Sequence, residues 1–277
     1  MFPSLNLGAI GIQEKSLERK AELASLGGFE GLYLSLMEIK ENGPEKVASI
    51  LKKRRLKLAG SFLPFGLGLD EHEFLQKIAG LRDLVDAASV AGCTRISTWI
   101  PPFSDTLPYR KNFELYVNRL RIVCKVLAEY DCRLGLEFIG TLTIRRGHRF
   151  TFIHTLGETL KLCDSVDENS LGIVLDSWHW YTSYGTLADV ESLKGSDIVD
   201  VHVNDAPAEI SVEEQVDNRR KLPGETGVID CEGFLSALSR IGYDGPVMVE
   251  PFYDKLREMK PEDTLLLVSK SLKAVWP

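Results

Sequence analysis

Four ionisable side chains lie inside otherwise apolar segments in the second half of the chain. Glu137, Asp176 and Glu250 each follow a run of Val, Leu, Ile, Met or Gly, and His202 lies in the largely apolar segment Val-Asp-Val-His-Val at 199–203. A charged carboxylate in such a run costs several kcal/mol unless it is paired or bound to a cation. Three carboxylates around one cavity would repel one another, and a divalent cation relieves that repulsion. The pattern therefore predicts one metal site built from these four residues.

Each of the four residues also has an ordinary structural explanation when it is considered alone. An acidic residue that ends a strand, such as Asp176 or Glu250, often caps a helix, and a lone His202 is often a hydrogen-bonded core histidine. Four such residues on consecutive strands favour the metal site instead. An oxygen-rich donor set with one nitrogen suits Mn²⁺, Co²⁺, Mg²⁺ or Zn²⁺ and disfavours copper or an iron–sulfur cluster. Coordination positions left open would make this a catalytic metal.

Further polar and aromatic side chains accompany the predicted metal ligands. His179 follows Asp176 by three residues and could hydrogen-bond a substrate oxygen, although a solvent-facing loop histidine is the alternative. Arg220 lies in the long loop Asn204–Asp230 after the seventh predicted strand, followed by Pro and Gly residues that allow the loop to fold back over the site. It can donate two hydrogen bonds to a polyol or carbonyl oxygen, unless it is a surface arginine. The cluster of Trp178, Trp180 and Tyr181 could form an aromatic wall that stacks on a sugar ring. Plain packing under a loop explains the cluster equally well.

The elements that must position these residues alternate regularly along the chain. The sequence predicts eight strands, at Leu5–Ile10, Gly31–Leu36, Lys57–Phe62, Arg95–Ile100, Arg133–Ile139, Leu171–Asp176, Ile198–Val203 and Pro246–Glu250. It predicts helices between and after them, at Ser16–Leu26, Pro44–Arg55, Glu71–Ala91, Tyr109–Tyr130, His154–Val166, Leu187–Leu193, Glu232–Ile241 and Pro261–Val275.

This alternation is typical of parallel strands joined by right-handed crossovers. Eight units close into an α/β fold of the (β/α)8 TIM-barrel type, with a doubly wound open sheet as the alternative. No linker or low-complexity segment divides the chain, so we expect residues 1–277 to form a single TIM-barrel domain. The active site of such a barrel lies at the C-terminal ends of the strands, where the four predicted ligands stand.

Composition narrows the class of protein and of partner. The 33 basic and 40 acidic residues give a net charge of −7, which makes nucleic acid and anionic membrane poor partners. The five cysteines form no Cys-x-x-Cys pair, so neither a disulfide framework nor a zinc ribbon is expected. We see no signal peptide and no apolar run near the ~18 residues that a membrane span needs. We expect a cytoplasmic protein with a small polyol or sugar as substrate, and leave homo-oligomerisation open.

Several motifs resemble the sugar phosphate isomerase/epimerase family of xylose isomerase-like TIM barrels. They are Leu-Glu-Phe-Ile-Gly at 136–140, Leu-Asp-Ser-Trp-His at 175–179, His-Val-Asn-Asp at 202–205, Arg-x-x-Pro-Gly-x-x-Gly-x-Ile-Asp at 220–230 and Val-Glu-Pro-Phe at 249–252. Within the family the sequence is most similar to the 2-keto-myo-inositol isomerases. The resemblance implies that Glu137, Asp176, His202 and Glu250 bind one divalent metal ion and that His179 and Arg220 bind substrate.

The resemblance also implies a reaction. A metal-dependent isomerase or epimerase would act on a ketose or an inosose-like keto-cyclitol through a metal-stabilised enediolate, with Glu137 and Glu250 as the catalytic acid and base. A dehydratase of a related keto-polyol, such as inosose or dehydroshikimate, is the first alternative. A sugar-binding barrel without turnover is the second. An endonuclease IV-like activity is excluded because strands three and four lack the additional zinc-binding histidines.

Overall fold

The computed structural model describes residues 1–277 and contains a closed barrel of eight parallel strands. Each strand pairs with its neighbour in sequence, and the last strand pairs with the first, which confirms the TIM barrel and excludes the open sheet. The strands are β1 (Phe2–Leu5), β2 (Gly31–Tyr33), β3 (Lys57–Phe62), β4 (Arg95–Ile100), β5 (Arg133–Phe138), β6 (Leu171–Asp176), β7 (Ile198–Val203) and β8 (Pro246–Val249).

The helices that connect the strands carry the expected start signals. Ser16 and Asp70 accept backbone N–H bonds at the first and third helices, and Pro44 and Pro261 lie in first turns, where a missing N–H is harmless. The eight helices are α1 (Leu17–Leu26), α2 (Pro44–Lys53), α3 (Glu71–Val90), α4 (Tyr109–Ala128), α5 (Leu156–Val166), α6 (Leu187–Glu191), α7 (Cys231–Arg240) and α8 (Pro261–Ala274). No helix combines the length and the apolar character needed to cross a bilayer.

The first strand lies earlier in the chain than predicted. It spans Phe2–Leu5, whereas the sequence predicted Leu5–Ile10. Asn6 accepts a hydrogen bond from the Gly8 backbone N–H, and Gly11 has a φ of 79°, so the chain turns directly after the strand. Residues 6–11 therefore form a turn directly after β1, although their apolar side chains resemble those of a strand.

Three short helices were not predicted as separate elements. They are Leu36–Asn42, Leu142–Arg145 and Ser177–Thr182, and each lies shortly after the end of a strand. The first of them shortens β2, because the Ser35 hydroxyl caps it and the strand ends at Tyr33. A small antiparallel pair, Phe103–Ser104 with Phe150–Thr151, joins the loops that follow β4 and β5.

The inside of the barrel contains a polar layer below the C-terminal strand ends. The Tyr33 side chain enters this layer because Gly60 on the next strand has no side chain, and a Cβ there would come within 2.8 Å of the tyrosine ring. The Tyr33 hydroxyl donates a hydrogen bond to the carboxylate of Asp200 on β7. This hydrogen bond joins β2 and β7, which β1 and β8 separate in the barrel, below the predicted site.

Candidate metal centre

The four predicted ligands converge at the C-terminal end of the barrel. Glu137, Asp176 and His202 stand at or near the ends of β5, β6 and β7, and Glu250 directly follows β8. One ligand atom from each of the four lies within 4.8 Å of the others. Parallel pairing sets this arrangement, since Asp176 and His202 are register partners on neighbouring strands.

The His202 ring presents one nitrogen to the three carboxylates. Its Nδ1 lies 3.2 Å from Glu137 Oε1, 3.5 Å from Glu250 Oε2 and 3.9 Å from Asp176 Oδ2. Both His202 Nδ1 and Glu137 Oε1 are buried and have no hydrogen-bond partner. Buried polar atoms are almost always satisfied in proteins, so these two atoms fit a bound cation. Three carboxylates and one imidazole are suitable ligands for a divalent ion.

Electrostatics in this cluster shift the pKa values of its members. Burial alone lowers the pKa of His202, but the carboxylates of Glu250 and Glu137 outweigh it and raise that pKa well above its usual value. Burial raises the pKa of Glu137 despite the opposing effect of His202. Burial also opposes ionisation of Asp176, but the nearby cation of Arg220 and two histidines lower its pKa.

Asp176 combines the role of a helix cap with that of a candidate ligand. Its Oδ1 accepts hydrogen bonds from the Trp178 backbone N–H at 2.7 Å and from Asn204 Nδ2 at 3.1 Å. Its Oδ2 accepts from Arg220 Nη1 at 2.8 Å and faces the cluster. The cap and the metal site are therefore compatible, because they use different oxygens.

Arg220 is buried in the site and is not a surface arginine. It also donates to Glu250 Oε2 at 3.2 Å and to Asp217 Oδ1 at 2.8 Å, and its guanidinium stacks 4.7 Å from the centre of the Phe252 ring. Burial lowers the pKa of Arg220, but Asp176, Asp217 and Glu250 together raise it, so the guanidinium stays charged. Asp217 was not predicted, and no spacing in the sequence indicates it.

The long loop after β7 is fixed to the barrel rather than open. Asp205 and Lys221 exchange backbone hydrogen bonds of 2.9 and 2.8 Å. The Asp205 carboxylate also accepts the backbone N–H groups of Thr226, Gly227 and Ile229. These bonds explain the motif residues at 202–205 and 224–227, since they hold the segment that carries Arg220 over the site.

His179 is buried at the wall of the site and is not a solvent-facing histidine. The Gly140 backbone N–H donates to its Nδ1 at 3.3 Å, and Arg220 Nη2 lies 3.2 Å from its Nε2. Asp217 Oδ1 is 3.7 Å from the same Nε2. A neutral imidazole accepts at only one nitrogen, so Gly140 and Arg220 compete for that acceptor, and a ligand oxygen that receives the Nε2 proton would decide the tautomer.

A cavity of about 790 Å³ opens above the cluster and has two unlike sides. Glu137, His202 and Glu250 lie at its polar side with His179, Asp217 and Arg220. The loops of β3 and β4 supply much of an apolar side, which consists of Phe62, Leu63, Phe65, Leu67, Trp99, Pro101, Phe103, Ile139, Ile144 and Phe252. Arg220 is the only basic residue other than histidine that lines the cavity.

The aromatic cluster beside Asp176 serves packing and does not line this cavity. Trp178 is fully buried and donates its indole N–H to Thr141 Oγ1, and Trp180 packs on Phe234. The aromatic side of the cavity comes instead from residues such as Trp99, which is 57% exposed. From the sequence, the ends of β3 and β4 were predicted only to lack metal ligands, and their part in the cavity was not predicted.

Known proteins share this architecture. A family model described as xylose isomerase-like TIM barrel matches residues 21–274. The chain is 21% identical over 271 residues to an inosose isomerase of Bacillus velezensis, which covers 95% of this chain and 93% of the relative. It is 31% identical over 145 residues to a 3-dehydroshikimate dehydratase of Pseudomonas putida, covering 52% of this chain but 21% of that protein.

A solved structure extends the likeness to nearly the whole chain. The crystal structure of the IolI protein with a bound zinc atom superposes with a TM-score of 0.84 at 20% identity and covers 99% of this chain and 98% of that one. This likeness shows the fold, and the family match covers almost all of the sequence. The chain belongs to the xylose isomerase-like TIM barrel family.

Proposed function

We propose that the protein is a divalent-metal-dependent isomerase or epimerase of a ketose or an inosose-like keto-cyclitol. The observation that carries the proposal is the convergence of Glu137, Asp176, His202 and Glu250, with two buried atoms that lack any hydrogen-bond partner. The similarity to an inosose isomerase over nearly the full length of both chains supports the reaction class. A barrel that only binds sugar would have no need of these unpaired groups.

The proposed site assigns metal binding to Glu137, Asp176, His202 and Glu250. A divalent cation bound there would supply a Lewis acid that polarises a carbonyl and acidifies the neighbouring C–H. Zinc is the ion named for the IolI structure, and the same donor set also suits manganese, cobalt and magnesium. Elemental analysis of the purified protein identifies the ion that the cell provides.

Glu137 and Glu250 are the proposed acid and base. Glu137 lies on β5 and Glu250 directly follows β8, and two strands separate β5 from β8 around the barrel, so the two carboxylates approach the cavity from different sides. Glu137 Oε1 has no hydrogen-bond donor, and burial raises its pKa, both of which suit a group that takes and returns a proton. Arg220 donates a hydrogen bond to Glu250 Oε2 and so fixes the position of that carboxylate.

The cavity lining favours a substrate without a phosphate group. Phosphate sites in proteins present several donors such as Arg, Lys or backbone N–H groups, and here Arg220 is already bonded to three carboxylates. The basic residues after β5 point elsewhere, since Arg145 donates to the Gly140 carbonyl and Arg146 pairs with Glu214. His179 and Arg220 are the proposed contacts for substrate oxygens.

A dehydratase of a related keto-polyol is the second candidate. The 31% identity to part of a 3-dehydroshikimate dehydratase favours it, and the proposed base would serve either reaction. Loss of water needs an acid at the leaving hydroxyl, and His179 at the cavity wall is placed for that role.

Product analysis in D2O separates the two reactions. Incubation of the metal-loaded protein with an inosose, and with a ketose such as psicose, is followed by NMR and mass spectrometry. An isomerase or epimerase incorporates deuterium at the carbon beside the carbonyl, with no loss of water. A dehydratase gives a product lighter by one water. Absence of both outcomes with every keto-polyol tested would contradict the proposal.

Matched variants test the acid/base assignment. Glu137→Gln and Glu250→Gln should each lower kcat by at least about 100-fold, since general acid–base catalysis contributes about 10²–10⁴. Glu232→Gln on the exposed face of α7 is the control and should leave kcat unchanged. Metal content measured for each variant distinguishes loss of proton transfer from loss of the ion.

A further inference from the structure

A second carboxylate lies behind the candidate metal ligand of β7. Asp200 precedes His202 by two residues, so both side chains project from the same face of the strand into the barrel. Asp200 is fully buried, and its only ion-pair partner is His202. A buried carboxylate without a Lys or Arg partner is costly, so its presence at this depth calls for an explanation.

The two oxygens of Asp200 have different surroundings. Oδ1 accepts hydrogen bonds from the Tyr33 hydroxyl and from the Val201 backbone N–H. Oδ2 accepts from Ser97 Oγ at 3.0 Å and lies 3.6 Å from His202 Nε2. These bonds come from three strands of the barrel and fix the position of the carboxylate.

The His202 ring therefore lies between three carboxylates on one side and a single carboxylate on the other. Its Nδ1 faces the three cavity carboxylates, and its Nε2 faces Asp200. Nε2 is buried and has no hydrogen-bond partner. A neutral imidazole that binds a cation through Nδ1 must carry its proton on Nε2, and that buried N–H then needs an acceptor.

We propose that Asp200 is a positioning residue that accepts the Nε2–H of His202 and thereby orients Nδ1 toward the cation. The inference rests on the metal site of the proposed function and extends it to a residue below the cavity. A ring movement of about 0.5 Å brings the 3.6 Å separation into hydrogen-bond range. A carboxylate behind a metal-bound histidine fixes its tautomer and raises its basicity.

Metal affinity without any substrate provides the first test. Zn²⁺ binding is measured by competition with a chelating dye for the unmodified chain and for Asp200→Asn, which keeps the shape and removes the charge. Asp200→Asn should bind Zn²⁺ about 10–100-fold more weakly. Tyr33→Phe, which deletes one hydrogen bond to Asp200 but leaves its charge, is the matched control and should change the affinity by less than about threefold.

NMR of ¹⁵N-histidine-labelled protein provides a readout that a purely structural role would not change. The Zn²⁺-loaded unmodified chain should show a slowly exchanging, downfield Nε2 proton, assigned by its loss in His202→Gln. This measurement needs no Asp200 variant to fold. In Asp200→Asn the same proton should move upfield and exchange faster.

The outcomes separate this inference from the proposed function. Equal Zn²⁺ affinity in Asp200→Asn and the unmodified chain overturns the inference alone, as does a loaded chain without a protected Nε2 proton. Equal losses in Asp200→Asn and Tyr33→Phe assign Asp200 to the barrel interior and also overturn it. A chain that binds no divalent cation at all overturns the proposed metal-dependent function and the inference together.

Discussion

Arg220 Nη1 lies 2.8 Å from Asp176 Oδ2, so a loop residue that follows β7 is bonded to the residue that ends β6. Both side chains are buried, and the same guanidinium reaches Glu250 and Asp217. Arg220 thus stands beside the proposed cation. The three carboxylates of the site carry more negative charge than one divalent ion neutralises, and the guanidinium balances the remainder.

Replacement of Arg220 by Lys should weaken both activity and stability. Lysine keeps the charge but lacks the planar fork that reaches three carboxylates at once. We expect kcat/KM to fall by at least about tenfold, which corresponds to about 1.4 kcal/mol, and the thermal midpoint to decrease. Steady-state kinetics and calorimetry measure the two effects. The exposed neighbour offers the control Arg219→Lys, and equal values for both variants would contradict the role given to Arg220.

Metal affinity should rise with pH. The pKa of His202 in the metal-free site is raised, so the imidazole is protonated at neutral pH and must lose its proton before Nδ1 can bind an ion. Apparent affinity should increase by about tenfold per pH unit below that pKa and level off above it. Titration calorimetry in buffers of different ionisation enthalpy should show about one proton released per ion. The exposed His148→Gln should behave like the unmodified chain.

The metal-free chain should show the opposite trend in its stability. A pKa raised on folding means that the contribution of His202 is fully present below its unfolded value of about 6.5. This contribution is lost as the pH rises through the folded pKa. Urea unfolding of the chelator-treated protein across this range measures it. His202→Gln should abolish that part of the pH dependence.

Removal of the metal should lower the thermal midpoint. An ion at 100 times its Kd stabilises the folded state by about 2.7 kcal/mol, and each kcal/mol shifts the midpoint of a chain this size by about 2–4 °C. Differential scanning fluorimetry with and without chelator measures the shift, and added Zn²⁺ or Mn²⁺ should restore it. His202→Gln should be insensitive to chelator. A chelator effect of the same size in that variant would place the ion elsewhere.

Gly140 should resist substitution because the chain packs against it. A Cβ at this position would come within 2.7 Å of Thr182 Oγ1 and 2.9 Å of the Ser183 N, next to the short helix that carries His179. Gly140→Ala should destabilise the fold by about 1–3 kcal/mol. Gly80→Ala, at an exposed position inside α3 with nothing near its Cβ, should instead stabilise it by about 0.5–1 kcal/mol. Denaturant unfolding compares the pair.

The barrel and the convergence of Glu137, Asp176, His202 and Glu250 followed from strand order alone. Parallel strands in a closed barrel end at the same face, so polar residues at their C-terminal ends must meet. The predicted Leu5–Ile10 strand was wrong, because Asn6, Gly8 and Gly11 form a turn there. The apolar residues among them give the same hydrophobic pattern as a strand. Metal binding by the four residues stays a prediction.

The contacts of the loop residues could not be predicted. Arg220 and Asp217 meet because the loop folds back through Asp205, a tertiary effect that leaves no periodic pattern. Asp200 is different, since its spacing from His202 places both on one face of β7 and could have been read from the sequence. The aromatic side of the cavity was not predicted, because apolar residues at strand ends cannot be distinguished in the sequence from residues of the hydrophobic core.

The two sides of the cavity can change independently of each other. The ends of β3 and β4 and the loops that follow them carry Phe62, Phe65, Trp99 and Phe103 but none of the proposed metal ligands or proton-transfer groups. Mutations of these residues would alter which molecule fits while leaving the reactive centre intact. Such separation directs any library for new substrates to these two strand ends and their loops.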